Sequence, residues 1–290
     1  MLQCYVPFIE YKVRPAYKEK TMSNNIRKLQ VQLLGFIALF TFLPEFVLSQ
    51  SIFTHAHLRV PSGQQEAAAV WYNKVLGGEP DEIGPGPGIR YHNGFVGSMP
   101  NDGMAGDGSK SVFDHIGISV PDVRATVELI RELGGVIRTE PQEGVTASLI
   151  AHVTDPWGGR FELLEDPVYT GINHVHFFAS DADAMSDWFL QVFGGEYSQD
   201  RGRGRFHTIL YDTVWVHVTQ AADDDQREPS QYRAGDHIGF LVPSLDVFRD
   251  TLAASGYEPY LERPNPPGAD LMFIKGPDGL HVEMTEPLPQ

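Results

Sequence analysis

Four short apolar runs that contain histidine stand out in the hydrophobic pattern after residue 50. They cover residues 53–60, 113–120, 172–178 and 236–242. Runs of this length, rich in Ile, Val and Phe, are typical of buried β-strands. Because alternate side chains of a strand share a face, His55 and His57 are expected to point to one side, as are His174 and His176. The pattern therefore predicts strands that carry imidazole on one face.

Each of these strands is followed by an amphipathic segment with a helical period. Apolar residues at helical spacing predict helices over residues 64–76, 123–133, 182–193 and 245–254. The first three segments are followed by Gly-Gly and the fourth by Gly256, as expected where helices end. Stretches with strand character, such as 206–210 and 214–219, come next. The order of strand, helix and about three strands is thus repeated along the chain.

The repeated units form two similar halves. Residues 151–162 and 272–283 share a Pro-X-Gly turn followed by a strand with a glutamate among apolar residues. The offsets between the halves are 119 for His55 and His174, 122 for His115 and His237, and 121 for Glu162 and Glu283. Such agreement indicates a tandem duplication. It predicts an N-terminal domain at 51–168 and a C-terminal domain at 169–290.

The first fifty residues have the pattern of a targeting segment. Arg27 and Lys28 precede thirteen mostly apolar residues at 31–43, and small and polar residues follow near Ser49. This order is typical of a secretory signal, and the apolar stretch is short for a bilayer span. We therefore predict export to the periplasm or the extracellular space, with Met22 as the start of the signal. An uncleaved membrane anchor is the alternative.

Cysteine content and charge narrow the classes of function. Cys4 is the one cysteine of the chain, so a processed protein would have no disulfide, thiolate ligand or cysteine nucleophile. The whole chain has a net charge of −16; without its first fifty residues it has 16 Lys/Arg, 35 Asp/Glu and a net charge of −19. Such an acidic surface repels nucleic acid and anionic lipid. We expect no nucleic-acid partner and no stable membrane insertion after signal cleavage.

The order of strand histidine, helix, Gly-Gly, Pro-X-Gly turn and strand glutamate resembles the vicinal oxygen chelate superfamily, which includes glyoxalase I, extradiol dioxygenases and bleomycin-resistance proteins. The resemblance extends from Phe53 to Glu286. It implies an α+β fold in which four βαβββ modules pair into two cup-shaped eight-stranded mixed sheets, with the helices outside. It also implies a divalent metal at the base of a cup. With the modules of each half paired, each half would form one cup.

Carried over to this sequence, the resemblance assigns a metal site to each half. The implied ligands are His174, His237 and Glu283 in the C-terminal half, with a second site at His55, His115 and Glu162 in the N-terminal half. Two neutral imidazoles and one carboxylate leave adjacent metal positions open for a substrate that chelates through two oxygens. Fe(II), Mn(II) and Zn(II) are the expected ions.

Further histidines are candidates for proton transfer near the metal. His217 stands at the last-strand position that Glu162 and Glu283 occupy in their units, whereas the first unit has residues 94–98 there, with no ligand. This asymmetry favours the C-terminal half as the working centre. The other candidates for proton transfer or substrate contact are His176, His207, His57 and His281.

The sequence thus predicts an exported metal-dependent enzyme that acts on a small substrate through vicinal oxygens. Dioxygenase chemistry is slightly favoured, because two histidines and one carboxylate match an Fe(II) site. The alternatives are a glyoxalase-like lyase or isomerase and a non-catalytic ligand-binding protein of the bleomycin-resistance type. A small molecule is the expected partner, and self-association into a homo-oligomer is left open.

Overall fold

The computed structural model describes residues 51–83, 86–101, 108–263 and 270–287. Within these ranges the chain forms sixteen β-strands and four α-helices, arranged as four βαβββ modules. No helix in these ranges is both long and apolar enough to cross a membrane. The predicted signal at 1–50, with its start at Met22, lies outside the described residues.

The modules contain the same elements in the same order. Module 1 comprises β1 (Ile52–Val60), α1 (Gln65–Leu76), β2 (Glu79–Ile83), β3 (Gly86–Tyr91) and β4 (Gly94–Pro100). Module 2 comprises β5 (Phe113–Ser119), α2 (Val123–Glu132), β6 (Val136–Gln142), β7 (Ile150–Thr154) and β8 (Arg160–Leu164). Module 3 comprises β9 (Gly171–Ala179), α3 (Ala182–Phe193), β10 (Glu196–Tyr197), β11 (His207–Tyr211) and β12 (Val214–Gln220). Module 4 comprises β13 (Gly235–Leu241), α4 (Leu245–Ala254), β14 (Pro259–Arg263), β15 (Leu271–Lys275) and β16 (His281–Thr285).

The helices begin and end within one residue of the predicted positions, which confirms those predictions. Asp122, Asp181 and Ser244 precede α2, α3 and α4, and each side chain accepts a hydrogen bond from the backbone N–H three residues further on. Helices α1 and α3 are followed directly by Gly77 and Gly194, whose φ angles of 78° and 72° suit glycine. Local sequence therefore sets these boundaries.

The sheets join modules from different halves of the chain. The strand order is β14-β15-β16-β13-β1-β4-β3-β2 in sheet 1 and β10-β11-β12-β9-β5-β8-β7-β6 in sheet 2. Sheet 1 therefore combines modules 1 and 4, and sheet 2 combines modules 2 and 3. The expected fold class, with four modules paired into two eight-stranded mixed sheets, is confirmed. The expected pairing of modules within each half is wrong, so the boundary between residues 168 and 169 does not separate the two sheets.

The first strands of the modules form the junction within each sheet. Strand β1 pairs antiparallel with β13, and β5 pairs antiparallel with β9. In these registers His57 lies opposite His237, and His115 lies opposite His176. A first strand has only the last strand as a neighbour within its own module, so it needs a second partner to complete its backbone hydrogen bonds. The first strand of another module provides that partner.

Helices on the outer faces join the modules that are adjacent in sequence. The ring of Phe193 in α3 stacks on that of Phe240 in β13, with centroids 4.4 Å apart. Tyr72 of α1 packs edge-on against Phe161 of β8, and its hydroxyl donates a 2.6 Å hydrogen bond to Asp155. Each module thus contacts one neighbour through a sheet and another through helices. The inner faces of the sheets remain for polar side chains.

The buried carboxyl group of Asp155 makes this helix contact sensitive to pH. Burial raises its pKa to about 6, although hydrogen bonds from Tyr72 and from backbone N–H groups act in the opposite direction. An unfolded Asp titrates near about 3.9, so the folded protein binds the extra proton between about pH 4 and about pH 6. Stability from this group is present below that window and is lost as the pH rises through it. The loss should be about 3 kcal/mol in the free energy of unfolding.

Asp155→Asn should abolish this pH-dependent loss, because the amide is neutral and its oxygen still accepts hydrogen bonds from the backbone. We expect the variant to gain about 3 kcal/mol relative to the unaltered chain between about pH 4 and about pH 7, measured by urea unfolding at each pH. Asp187→Asn, at an exposed position of α3, is the control. A stability difference between Asp155→Asn and the unaltered chain that stays constant with pH would contradict the raised pKa.

Candidate functional site

The inner face of sheet 1 brings four polar side chains to one point. They are His55 and His57 of β1, His237 of β13 and Glu283 of β16, and one potential ligand atom from each lies within 4.8 Å of the others. His237 Nε2 is 3.4 Å from Glu283 Oε2, and His55 Nε2 is 3.7 Å from the same oxygen. All four residues line a cavity of about 1060 Å³ (cavity 1).

Strand register and a glycine determine where the ring of His55 lies. In the parallel pairing of β13 with β16, Gly239 lies opposite Glu283 and two residues beyond His237. A Cβ atom on Gly239 would lie 2.0 Å from Cε1 of His55. The imidazole therefore occupies space that any other residue at this position would fill.

A buried aspartate fixes the orientation of His237. Asp236 is fully buried and accepts a 2.6 Å hydrogen bond from Nδ1 of His237, which leaves Nε2 facing Glu283. Nε of Arg59 donates to the same carboxylate at 2.8 Å, and Nδ1 of His281 lies 3.1 Å from it. Histidines that bind metals usually have their other nitrogen held by a carboxylate or carbonyl in this way.

The electrostatics of cavity 1 favour a positive charge between the imidazoles and the carboxylate. Burial alone would lower the pKa of His237, but hydrogen bonds to Asp236 and Glu283 outweigh burial and raise that pKa to about 8. Burial alone would raise the pKa of Glu283, but His55 and His237 hold it well below its ordinary value. The same interactions would stabilise a divalent cation at this point.

The inner face of sheet 2 carries an equivalent cluster. His115 Nε2 lies 3.2 Å from His174 Nε2 and 3.4 Å from Glu162 Oε2, and His174 Nε2 is 3.8 Å from that oxygen. His115 and Glu162 line a second cavity of about 540 Å³ (cavity 2). His174 is fully buried and is not among the residues that line this cavity.

Hydrogen bonds orient the histidines of sheet 2 as well. Asp114 accepts a 2.7 Å hydrogen bond from Nδ1 of His115, and Nδ1 of His174 lies 3.0 Å from Oδ1 of Asn173. Burial alone would lower the pKa of His115, but hydrogen bonds to Asp114 and Glu162 outweigh it and raise that pKa to about 9. Both sheets therefore present two Nε2 atoms to a glutamate.

Both clusters fit a divalent metal ion. Bonds from such an ion to nitrogen or oxygen are about 2.0–2.2 Å long, so two ligands of one ion lie about 3.0 Å apart at a right angle and about 3.4 Å apart at a tetrahedral angle. The nitrogens lie 3.4 Å and 3.7 Å from Glu283 and 3.4 Å and 3.8 Å from Glu162, within a few tenths of that range. Among the described residues, buried Nε2 of His55 has no hydrogen-bond partner, as expected for a nitrogen that binds an ion.

The structure groups the predicted ligands differently from the sequence analysis. His174 lies in sheet 2, whereas His237 and Glu283 lie in sheet 1, so the predicted C-terminal set does not come together. The corrected sets exchange the two first-strand histidines. They are His55, His237 and Glu283 in sheet 1, and His174, His115 and Glu162 in sheet 2. Nε2 of His152 also lies 3.8 Å from Oε2 of Glu162. The predicted grouping is wrong because first strands pair between the halves of the chain.

Two of the histidines predicted to transfer protons lie at cavity 2. His217 and His176 both line it. The ring of His217 stacks on that of His174 with centroids 4.3 Å apart, and Nε2 of His176 lies 2.8 Å from Oγ1 of Thr219. These residues therefore lie beside the cluster of sheet 2, and not at the set of His237 and Glu283 with which they were grouped.

His207, the third of these histidines, lines neither cavity 1 nor cavity 2. Its Nε2 lies 3.0 Å from the carboxylate of Asp183 in α3, on the helix side of β11. In that strand His207 has the same parity as the buried core residues Ile209 and Tyr211, so it points away from the inner face. The structure does not support a role for it in either site.

The two aspartates that orient His115 and His237, Asp114 and Asp236, were not predicted as site residues from the sequence. The repeated tetrapeptide Asp-His-Ile-Gly at 114–117 and 236–239 was the available signal. Adjacent residues of a regular strand point to opposite faces, so a bond between Asp236 and His237 is not expected from the pattern. These aspartates stand at the beginning of the strand, beside the register shifts where β13 meets β1 and β5 meets β9.

A chain of hydrogen bonds leads from cavity 1 to Asp236. The hydroxyl of Tyr260 contacts Nε2 of His281, and Nδ1 of His281 lies 3.1 Å from Asp236. Both Tyr260 and His281 line the cavity. A phenol connected to a carboxylate through an imidazole can exchange a proton with a molecule bound beside it.

Comparisons with known proteins match both halves of the chain. A family model described as the Glyoxalase/Bleomycin resistance protein/Dioxygenase superfamily matches residues 54–163 and 171–284. The "Probable lactoylglutathione lyase, chloroplastic" of Arabidopsis thaliana is 30% identical over 160 residues. That match covers 50% of this chain and 45% of the Arabidopsis protein, so less than half of the relative's own length is represented.

Solved structures show the same fold at low sequence identity. Glyoxalase I from Zea mays matches with a TM-score of 0.62 and 18% identity, over 81% of this chain and 92% of the maize chain. A structure of a point mutant of the same maize enzyme matches with a TM-score of 0.62 and 19% identity, over 82% of this chain and 94% of that chain. These matches concern the architecture.

Alanine at the glycines beneath the first-strand histidines should separate the two sites. Gly239→Ala should displace His55 and weaken metal binding at cavity 1 by at least about tenfold. Gly117→Ala is the matched variant for sheet 2, because a Cβ atom there would lie 2.2 Å from the ring of His174. Calorimetric titration with Zn(II) should show that each variant weakens one class of sites and retains the other. Unchanged affinity in both variants would contradict this assignment of ligands.

Proposed function

The chain belongs to the glyoxalase/bleomycin resistance protein/dioxygenase superfamily, and on this premise we propose that it is a metal-dependent enzyme that acts on a small molecule in cavity 1. The observation that carries the proposal is the convergence of His55, His237 and Glu283 at the wall of a cavity of about 1060 Å³. All three side chains line that cavity. A metal held there would be within reach of a substrate, as metal catalysis requires.

Cavity 1 is favoured over cavity 2 because its proposed ligands are open to the cavity. In sheet 2, His174 does not line the cavity, and its ring is stacked against that of His217. Cavity 2 also has about half the volume, 540 Å³ against 1060 Å³. An enclosed site with few open positions suits a structural ion better than a catalytic one. We therefore place turnover in cavity 1 and assign cavity 2 a metal-binding role.

The proposed ion is Fe(II), Mn(II) or Zn(II), held by His55, His237 and Glu283. When bound, it would supply Lewis-acid stabilisation of negative charge on two adjacent oxygens of the substrate. Asp236 keeps Nε2 of His237 turned toward this point through the hydrogen bond to Nδ1. Glu283 stays ionised near neutral pH, because the two histidines hold its pKa well below the ordinary value.

We place lyase or isomerase chemistry ahead of dioxygenase chemistry. The hydrogen-bonded chain of Tyr260, His281 and Asp236 begins at the cavity wall, where it can move a proton at the hydroxyl of Tyr260. The name of the Arabidopsis relative, a lactoylglutathione lyase, points to the same class of reaction. Dioxygenase chemistry is the second candidate, and it is supported by the set of two histidines and one carboxylate, which suits Fe(II).

Metal content and two assays test the proposal. The purified chain should retain a divalent ion in cavity 1. His237→Ala should lose that ion together with at least about 99% of the activity, because two remaining ligands would bind the ion much more weakly. His207→Ala is the matched control, since His207 lines neither cavity. The assays are formation or consumption of lactoylglutathione for the first candidate and oxygen uptake with catechols for the second. A protein that binds small ligands without any metal would contradict the proposal and favour a non-catalytic binding protein.

Tyr260→Phe tests the proton-transfer chain separately from the metal. The variant keeps the ring and removes the hydroxyl that contacts His281. We expect kcat to fall by about 10²-fold while metal content and KM change little, because general acid–base catalysis typically contributes that much. Tyr197→Phe is the matched control: Tyr197 is half exposed on the short strand β10 and lines neither cavity. An unchanged kcat in Tyr260→Phe would remove Tyr260 from the reaction.

A further inference from the structure

The last strands of the four modules carry a residue of the same structural position. In each module the last strand runs parallel to the first strand. The first strands carry His55, His115, His174 and His237 at equivalent positions. The residue of interest on the last strand pairs with the residue two places after that histidine. These residues are Gly97, Glu162, His217 and Glu283. Three of them carry a metal-ligating side chain, and two of those, Glu162 and Glu283, belong to the clusters described above. Module 1 alone has a residue without a side chain there.

The imidazole of His57 and the ring of Phe95 fill the space that this glycine leaves, and a Cβ atom on Gly97 would lie 2.4 Å from Cε1 of Phe95. Gly97 lies directly opposite His57 in the pairing of β1 with β4. A Cβ atom on Gly97 would lie 2.5 Å from Cδ2 and 2.6 Å from Nε2 of His57. No residue with a side chain could therefore occupy position 97 while these rings remain where they are. The glycine and the histidine are sterically coupled.

The ring of His57 is oriented so that Nδ1 faces the cluster of cavity 1. Nδ1 of His57 lies 2.9 Å from Nε2 of His237. That distance is close to the separation of about 3.0 Å expected for two ligands at a right angle on one ion. His57 is buried, and a potential ligand atom of His57 lies within 4.8 Å of those of His55, His237 and Glu283.

The equivalent histidine of sheet 2 has a different environment. His176 lies opposite His217, whose ring occupies the last-strand position that is empty in module 1. Nε2 of His176 lies 2.8 Å from Oγ1 of Thr219, whereas Nε2 of His57 has no hydrogen-bond partner among the described residues. A potential ligand atom of His176 also lies within 4.8 Å of those of His115 and His174. What distinguishes sheet 1 is that its last-strand position has no side chain and that Nε2 of its histidine is not held by a hydroxyl.

We infer that His57 provides the fourth protein ligand of cavity 1 through Nδ1, in place of the last-strand ligand that is absent at Gly97. The inference rests on the proposed function, since it requires that cavity 1 binds a divalent ion. The ligand set then consists of three imidazoles and one carboxylate. On a six-coordinate ion, four protein ligands would leave two positions, enough for two oxygens of a chelating substrate and none for molecular oxygen as well. The inference therefore favours lyase or isomerase chemistry.

Co(II) is a suitable probe, because its visible absorption reports the ligands and their number. The experiment uses the full chain with His115→Ala, which disables cavity 2 and leaves one class of sites. Adding His57→Ala should weaken Co(II) binding by at least about tenfold and change the absorption spectrum. His92→Ala is the matched control, since His92 lines cavity 1 but belongs to none of the clusters. It should change neither the affinity nor the spectrum.

A compensating substitution tests the coupling between the two positions. Because Cε1 of Phe95 would lie 2.4 Å from a Cβ atom at residue 97, the compensating variant also needs Phe95→Ala. His57→Ala with Phe95→Ala and Gly97→Glu should bind Co(II) at least about tenfold more tightly than His57→Ala with Phe95→Ala. Gly97→Glu alone should instead displace the ring of His57 and weaken binding. Thermal unfolding shows whether His57→Ala folds. His57→Phe keeps an aromatic ring and removes both nitrogens, and it replaces His57→Ala if that variant does not fold. It should weaken binding as His57→Ala does.

The outcomes separate this inference from the proposed function. If the parent binds Co(II) and His57→Phe binds it with equal affinity and an unchanged spectrum, His57 is not a ligand and the proposed function stands. If His57→Phe binds Co(II) more tightly, the contact between His57 and His237 is a competing hydrogen bond, which also overturns the inference. If the parent binds no Co(II), both the inference and the proposed function fail.

Discussion

The antiparallel pairing of β1 with β13, and of β5 with β9, is the contact that creates both clusters. Each first strand contributes imidazoles from one face, and the pairing places the imidazoles of two modules side by side at the centre of a sheet. A shift of one residue in this register would turn the histidines of one strand toward the helices. The parallel pairing of first and last strands then adds a glutamate from module 2 and from module 4. The positions of the ligands are thus set by backbone hydrogen bonds.

The ionisable groups at these junctions stabilise one another. A buried carboxylate is costly unless positive charge compensates it, and Asp236 is compensated by Arg59 and His237 while Glu283 is compensated by His55 and His237. His237 therefore lies between two carboxylates, which raise its pKa to about 8 in spite of its burial. A bound divalent ion would replace the proton as the source of positive charge. The chain as a whole is acidic, with a net charge of −16, which adds to the attraction of a cation.

Local features of the sequence predict the elements well, but they do not determine how modules pair. Helical periodicity, the capping residues and the glycines that end helices are short-range signals, and the helix boundaries follow from them. The choice of partner for β1 is long-range: β5 and β13 both carry Asp-His-Ile-Gly, and either tetrapeptide could lie beside His55. In the structure, helix contacts between modules adjacent in sequence, such as the stacking of Phe193 on Phe240, accompany the pairing of β1 with β13. The parity of His207 with Ile209 and Tyr211, by contrast, was available in the sequence and places His207 on the core side.

The duplication leaves two clusters of similar composition in cavities of different size, and the difference follows from the last strands of modules 1 and 3. In module 3 this strand carries His217, whose ring covers that of His174 and limits access to it from cavity 2. In module 1 the equivalent residue is Gly97, the space above it is filled by the rings of Phe95 and His57, and His55, His57 and His237 all line cavity 1. Access to the proposed ion therefore depends on which residue stands at one strand position. The register that assembles the other ligands is equivalent in the two sheets, so the difference in access arises from the side chains around the last strands.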